Sequence, residues 1–223
     1  MNSVANVRVW DLPTRIFHWV LVGALICLVT TGYVGGNAMV WHFRFGFTVI
    51  NLLMFRLVWG LVGGRWSRFQ SFLFSPRTIL AYLKGDGHPA HSVGHNPLGA
   101  GSVFAMLAIL IAQVSSGMVS DDEIAFSGPM SKFVSNATVS LATNYHKNIG
   151  KWLLLALVVL HLGAIAFYYV KKHENLVRPM IKGDKSLPGE IPPSRDDTAS
   201  RSLAALVFVI CAVATAWVVH LGD

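Results

Sequence analysis

The 223-residue chain is 53% hydrophobic and only 13% charged, with a mean hydropathy of +0.53. This excludes an ordinary soluble domain and indicates a polytopic membrane protein. The formal net charge of +7 indicates orientation in a membrane and not nucleic-acid binding, because the cations collect in short segments between apolar runs.

Residues 1–15 are polar, with Arg8 and Arg15 as their cations. Ile16–Gly36 is long enough to cross a bilayer and carries one histidine, His18, in its first turn. No basic stretch and small-residue cleavage site frame it, so it reads as a retained span and not a removed signal peptide. A short connection leads to a second span, Trp41–Gly63, with His42 at its start and Arg44 and Arg56 within. In the basic segment that follows, Ser75-Pro76 is a helix start, and apolar residues beside Arg77 and Lys84 predict a short interfacial helix. His88, His91 and His95 form an H-x2-H-x3-H run in a glycine- and proline-rich loop. Exposed loop histidines are expected there in preference to a metal site.

The third span, Leu98–Val119, contains Gln113 but no histidine and no charge, and an acidic loop from Ser120 to Tyr145 follows it. The fourth, Asn144–Tyr169, holds two histidines, His146 and His161. In a regular α-helix they stand about 22 Å apart along the axis and roughly 60° apart around it. Residues 182–202 are rich in proline, serine and charge and read as a linker to a fifth apolar segment, Leu203–Leu221. The expected architecture is all-α. An integral membrane four-helix bundle (residues 1–181) carries a short interfacial helix and an additional C-terminal transmembrane helix (203–221). No internal repeat is visible. Cys27 and Cys211 lie inside spans and form no CxxC or CxxCH pattern, so thioredoxin-like chemistry and covalent c-type haem find no support.

With the N-terminus inside, the inner segments hold 13 of the 18 cations and the outer connections hold one, Lys132. This asymmetry predicts a cytoplasmic N-terminus and, if the fifth segment crosses, a periplasmic C-terminus. Orientation then gives each histidine a depth. His18 and His161 fall near the inner face, and His42 and His146 near the outer face. Two pairs at two depths match bis-histidine ligation of two b-type haems, since paired imidazoles leave iron six-coordinate and suited to electron transfer. A zinc or nickel transporter would need carboxylates or cysteines at the same depth, and the spans contain no Asp or Glu. Arg56 suits a propionate of the inner haem or snorkelling to the surface, and Lys147 stands in the same way to the outer haem.

The ordered set RIFHW (15–19), RLVWGLVGGRWSRF (56–69), GHNPLG (94–99), SGMVSDDE (116–123), YHKNIG (145–150), LHLGAIAFY (160–168) and NLVRPMIKGDK (175–185) resembles prokaryotic di-haem membrane cytochromes b. These include bacterial b-561-type cytochromes and the cytochrome b subunits of nickel-iron hydrogenases. The resemblance implies a four-helix core in the bacterial inner membrane, two haem b groups and electron exchange with the quinone pool. It places the haem ligands at His18, His42, His146 and His161. The expected function is electron transfer between quinone and a redox partner protein: a hydrogenase, another dehydrogenase or a c-type cytochrome. Two alternatives are a self-contained superoxide:quinone oxidoreductase and a haem-free membrane anchor or transporter subunit.

Overall fold

The computed structural model describes residues 4–87, 91 and 93–222. Strand β1 (Val4–Arg8) is followed at once by α1 (Leu12–Val34). That helix starts ahead of the apolar run because Asp11 caps it, accepting the Thr14 N–H at 2.8 Å, and Pro13 fits a first helical turn. A single 3-10 turn, Gly36–Ala38, leads into α2 (Met39–Val62). The interfacial helix α3 (Pro76–Leu83) begins at the Ser75 cap its sequence announces, with the Thr78 N–H bonded to the serine hydroxyl. α4 (Pro97–Val119) opens on Asn96, whose Oδ1 accepts the Gly99 N–H at 2.8 Å.

The fourth span differs from expectation at its beginning. Helix α5 (Asn136–Asn144), a π-helical turn (Tyr145–Gly150) and α6 (Lys151–Lys171) are consecutive, so helix occupies part of the stretch read as a loop. Ser135 caps it through the Thr138 N–H, a polar start that apolar periodicity does not detect. After α7 (Val177–Lys182) the chain turns at Gly183, where φ is 92°, and enters β2 (Asp184–Pro188) and then α8 (Thr198–His220). Among the described residues, five helical runs are long and apolar enough to cross a membrane: Leu12–Val34, Gly36–Val62, Pro97–Val119, Asn136–Lys171 and Thr198–His220. The protein is an all-α membrane bundle, and among the described residues its strands form one two-stranded sheet.

The chain divides into two compact units. The first comprises Met1–Phe17, Arg56–Ala105 and Val159–Val207. Here β1 and β2 pair antiparallel, with Val7 opposite Lys185 and Arg8 opposite Asp184. Val7, Val9, Trp10, Val93 and Leu187 form a buried cluster beside the sheet. The 182–202 stretch, a linker by composition, is bonded down along this surface. Ser194 donates its hydroxyl to the Val9 carbonyl (2.7 Å) and accepts the Trp66 N–H (3.1 Å), and the Trp66 indole donates to the Pro192 carbonyl (3.0 Å). Asp196 accepts from the Leu12 N–H and from Arg201, and ion-pairs with Arg8 at 3.3 Å.

Beneath this surface Asp11 is fully buried and accepts four hydrogen bonds. Oδ1 takes the Thr14 N–H and the Trp59 indole (3.2 Å), and Oδ2 takes the Gly64 N–H (3.1 Å) and the Ser67 hydroxyl (2.7 Å). A Cβ on Gly64 would fall on that carboxylate.

The second unit comprises His18–Phe55, Met106–Val158 and Phe208–Asp223. Within it α8 packs on α2 through Phe55 and Phe208, with ring centroids 6.1 Å apart, and the Thr215 hydroxyl reaches Met54 Sδ at 3.6 Å. The acidic loop is a tight turn whose carboxylates serve its own backbone. Asp121 accepts the Glu123 N–H at 2.7 Å, and Asp122 accepts those of Ile124, Ala125 and Phe126 at 3.0, 2.9 and 2.9 Å. The N–H groups of Phe126, Ala125 and Ile124 hold the Asp122 carboxyl below the usual carboxylate range, and the charge of Lys147 adds to the effect.

Asp11→Ala leaves the Trp59, Gly64 and Ser67 donors buried without an acceptor. Each costs about 1–3 kcal/mol, so thermal unfolding in detergent should show a loss of at least about 3 kcal/mol. Acid should act at Asp196. Burial works to raise its pKa, but the Arg201 and Leu12 hydrogen bonds and the charges of Arg201 and Arg8 hold it below the ordinary value. A depressed folded-state pKa contributes stability above the unfolded value of about 3.9, and that stability is lost as pH falls through the folded value. Hydrogen-exchange protection across residues 184–201, relative to the intrinsic rate at each pH, should therefore fall below about pH 4, and Asp196→Asn should show low protection at neutral pH.

Candidate functional site

The second unit brings two of the four candidate histidines together. The His42 and His146 rings have centroids 6.2 Å apart and planes at 85°. His42 stands in the first turn of α2, and its Nδ1 lies 3.0 Å from the Leu28 carbonyl of α1. His146 stands in the π-helical turn, and its Nδ1 lies 2.8 Å from the Gln113 carbonyl of α4. A carbonyl only accepts, so each Nδ1 carries the proton and each Nε2 keeps its lone pair. This tautomer is the one in which Nε2 ligates a metal while Nδ1–H fixes the ring orientation.

The two seats share one construction. Three residues after the carbonyl comes a hydroxyl: Thr31 Oγ1 at 3.3 Å from His42 Nδ1, and Ser116 Oγ at 3.4 Å from His146 Nδ1. Four residues after it comes a glycine. A Cβ on Gly32 would stand 3.2 Å from His42 Cε1, and one on Gly117 would stand 2.9 Å from His146 Cε1. The local sequences are Thr30-Thr31-Gly32-Tyr33-Val34 and Ser115-Ser116-Gly117-Met118-Val119. They are a short repeat, although none was expected, and its function shows only when the two helices are seen doing the same task.

Gln113 meets His146 twice. Its backbone carbonyl receives the ring, and its side-chain Nε2 donates to the His146 carbonyl at 3.0 Å. The π-helical turn also changes the geometry of the fourth span. The i→i+5 pattern widens the helix at Tyr145–Gly150, the turn that carries His146.

The 6.2 Å between the His42 and His146 ring centroids, with both Nδ1 atoms turned to carbonyls, leaves two imidazoles that would hold one metal ion through their Nε2 atoms. Among the described residues no group of three or more His, Cys, Asp or Glu side chains could hold a metal ion. Two imidazoles alone suit an ion whose other positions come from a macrocycle, as in haem. The residues present therefore fit a haem.

The other expected site residues are distributed as follows. His18, half-buried on α1, belongs to the second unit and meets Trp19 edge-on at 5.0 Å. His161, half-buried on α6, belongs to the first unit. Lys147 is exposed one residue after His146. Arg56 is 3% exposed, which excludes snorkelling to a surface, and its guanidinium carbon lies 4.7 Å from the centre of the Phe69 ring. The histidine run departs from the exposed-loop expectation. His88 lies outside the described residues. His91 is half-buried, 5.0 Å from Phe74, and His95 is packed against Trp10 (4.7 Å) and Phe72 (4.4 Å). The rings of Trp10, Phe72 and Phe74 supply the apolar environment that composition alone assigned to solvent.

The carbonyl–hydroxyl–glycine seats predict a graded response. Gly117→Ala must displace His146, while Gly32→Ala meets His42 at a distance that a small shift relieves. Purified Gly117→Ala should show a perturbed haem spectrum or reduced haem content, and Gly32→Ala a smaller change in the same direction.

A family model described as prokaryotic cytochrome b561 matches residues 9–183. Curated relatives are similar along most of the chain. The probable Ni/Fe-hydrogenase B-type cytochrome subunit of Rhodobacter capsulatus is 23% identical over 214 aligned positions, covering 81% of this chain and 82% of the relative. The probable Ni/Fe-hydrogenase 1 B-type cytochrome subunit of Escherichia coli K12 is 23% identical, covering 83% and 93%. The Rhizobium leguminosarum bv. viciae counterpart is 24% identical, covering 81% and 89%.

Proposed function

The chain belongs to the prokaryotic cytochrome b561 family, a membrane electron-transfer cytochrome b, and from that premise we propose that it carries electrons between a redox partner protein and quinone through two b-type haems. The observation that supports this reading most directly is the His42–His146 pair, with ring centroids at 6.2 Å and both Nδ1 atoms engaged by backbone carbonyls. Haem supplies a one-electron couple when bound, and the chain sets its ligands, orientation and surroundings. Leu28 and Gln113 hold the imidazole tautomers, Thr31 and Ser116 brace the Nδ1 side, and Gly32 and Gly117 leave room for the rings.

The second haem is assigned from sequence. His18 and His161, on the first and fourth spans, are its ligands, with Arg56 serving its propionates and Lys147 those of the first. The N-terminus faces the cytoplasm and the C-terminus the periplasm, as the distribution of Lys and Arg favours. The His42–His146 haem then lies toward the periplasm. The relatives' names favour a nickel-iron hydrogenase as the partner.

The test is a reduced-minus-oxidised spectrum with haem counting on the purified chain and on each single His→Ala variant. Two low-spin b haems are expected. His42→Ala and His146→Ala should remove or perturb one of them, and His18→Ala and His161→Ala the other. Full haem content with an unchanged spectrum in His146→Ala would overturn the ligand assignment. Turnover by the chain alone with superoxide and quinone would overturn the requirement for a partner.

A further inference from the structure

Among the described residues of the first unit, the buried side-chain nitrogens without a hydrogen-bond partner include Arg56 Nη1 on α2 and His95 Nδ1. Arg56 is 3% exposed and lies on α2, one helical turn before Trp59. The carboxylate whose field reaches it is Asp11. Both oxygens of Asp11 are already engaged by four other donors, and among the described residues no ion pair joins Asp11 to Arg56. Phe69 covers one face of the guanidinium at 4.7 Å. Phe69 in turn meets Phe72 at 5.9 Å, and Phe72 packs on His95 at 4.4 Å. The arginine and the histidine are therefore joined through one aromatic pair.

A buried cation with an unsatisfied donor costs more than a neutral group in the same state, and a second unsatisfied nitrogen beside it repeats the defect. One acceptor-only anion within reach of both would satisfy the two donors together. Burial, reinforced by the charges of Arg56 and His161, pushes the His95 pKa down to about 3. The imidazole is therefore neutral, and it offers one N–H instead of a second charge.

We infer that Arg56 and His95 together form a buried carboxylate seat, and that its occupant is a propionate of the haem ligated by His161. This rests on the proposed assignment of His161 as a haem ligand. The guanidinium contributes charge and a donor, His95 Nδ1–H contributes the second donor, and Phe69 and Phe72 exclude water from both. A fixed cation beside the propionate opposes the charge that oxidation leaves on the iron centre, so the seat raises the midpoint potential of this haem and leaves the His42–His146 haem unaffected.

The experiment is potentiometric titration of the haem-loaded chain in detergent, with the two haems resolved. Arg56→Gln should lower the reduction equilibrium constant of one haem about tenfold, which is about 59 mV for a one-electron couple, with low-spin spectra retained. Arg56→Lys should recover most of the shift. His95→Gln, which keeps an amide donor of different reach, should give a smaller shift of the same sign. Should Arg56→Gln fail to accumulate, Arg56→Lys and His95→Gln carry the measurement. Two bound haems with unchanged potentials in His95→Gln and in an Arg56 variant would overturn the seat. An unchanged spectrum in His161→Ala would instead overturn the ligand assignment beneath it, so the two failures are distinguishable.

Discussion

The carboxylate of Asp11 determines where several elements of the first unit begin and end. It is out of water, and each oxygen accepts two donors drawn from separate parts of the chain. Through Thr14 it fixes the start of α1, through Trp59 the last turn of α2, and through Gly64 and Ser67 the path of the chain leaving α2. None of these can move without leaving a buried donor unpaired. Glycine is needed at position 64 because a side chain would occupy the carboxylate's place. Arg56 takes its placement from the same arrangement. It lies one turn before Trp59 on the same helix, so the bond that holds Trp59 also fixes the helix face from which Arg56 projects.

The second unit meets a related problem with backbone. An imidazole in an apolar span must have its Nδ1–H satisfied locally, because the bilayer provides no water to do it. The carbonyls of Leu28 and Gln113 already belong to helices, and each uses its second lone pair for a ring on a neighbouring helix. Such a carbonyl is reachable only where the helix surface is thin. That accounts for glycine at the fourth residue beyond each, and for a hydroxyl one residue earlier whose oxygen stands beside the same nitrogen. The donor fixes the tautomer, the tautomer fixes which nitrogen is left to bind metal, and the glycine fixes how close the ring may come.

The spans were legible from hydropathy because lipid contact demands long apolar runs. The legible part of the site was the four histidines, since polar residues in spans need a reason. Other features left little trace. The β1–β2 pairing joins residues 4–8 to 184–188, and neither strand alone is long or alternating enough to announce itself. The order of 182–202 depends on Ser194 and Asp196 meeting specific partners near the N-terminus, a relation invisible in a segment whose composition suits a linker. Asp11 with Pro13, and Asn96 with Pro97, carry helix-start signals, but they stand ahead of the apolar runs that mark the spans. The glycine and proline beside His95 in sequence suit an exposed loop, whereas its neighbours in space are Trp10 and Phe72.

Gln113 shows how a local irregularity and a polar residue explain one another. A π-helical turn leaves the helix locally wide and its carbonyls poorly matched to the following turns. An unmatched carbonyl is costly in an apolar span. The carbonyl at risk belongs to His146, the residue whose ring must also be held. A glutamine on the adjacent helix answers both needs from one position, its backbone oxygen taking the ring proton and its side-chain amide capping the carbonyl. Gly150 completes the fit, since a Cβ there would collide with the Gln113 side-chain oxygen. An apolar substitute at 113 could keep the backbone contact but would abandon the His146 carbonyl, and an α-helical turn at 145–150 would remove the need for the amide while turning His146 to a different azimuth. The glutamine, the glycine and the π-helical turn thus form one device for presenting a single imidazole.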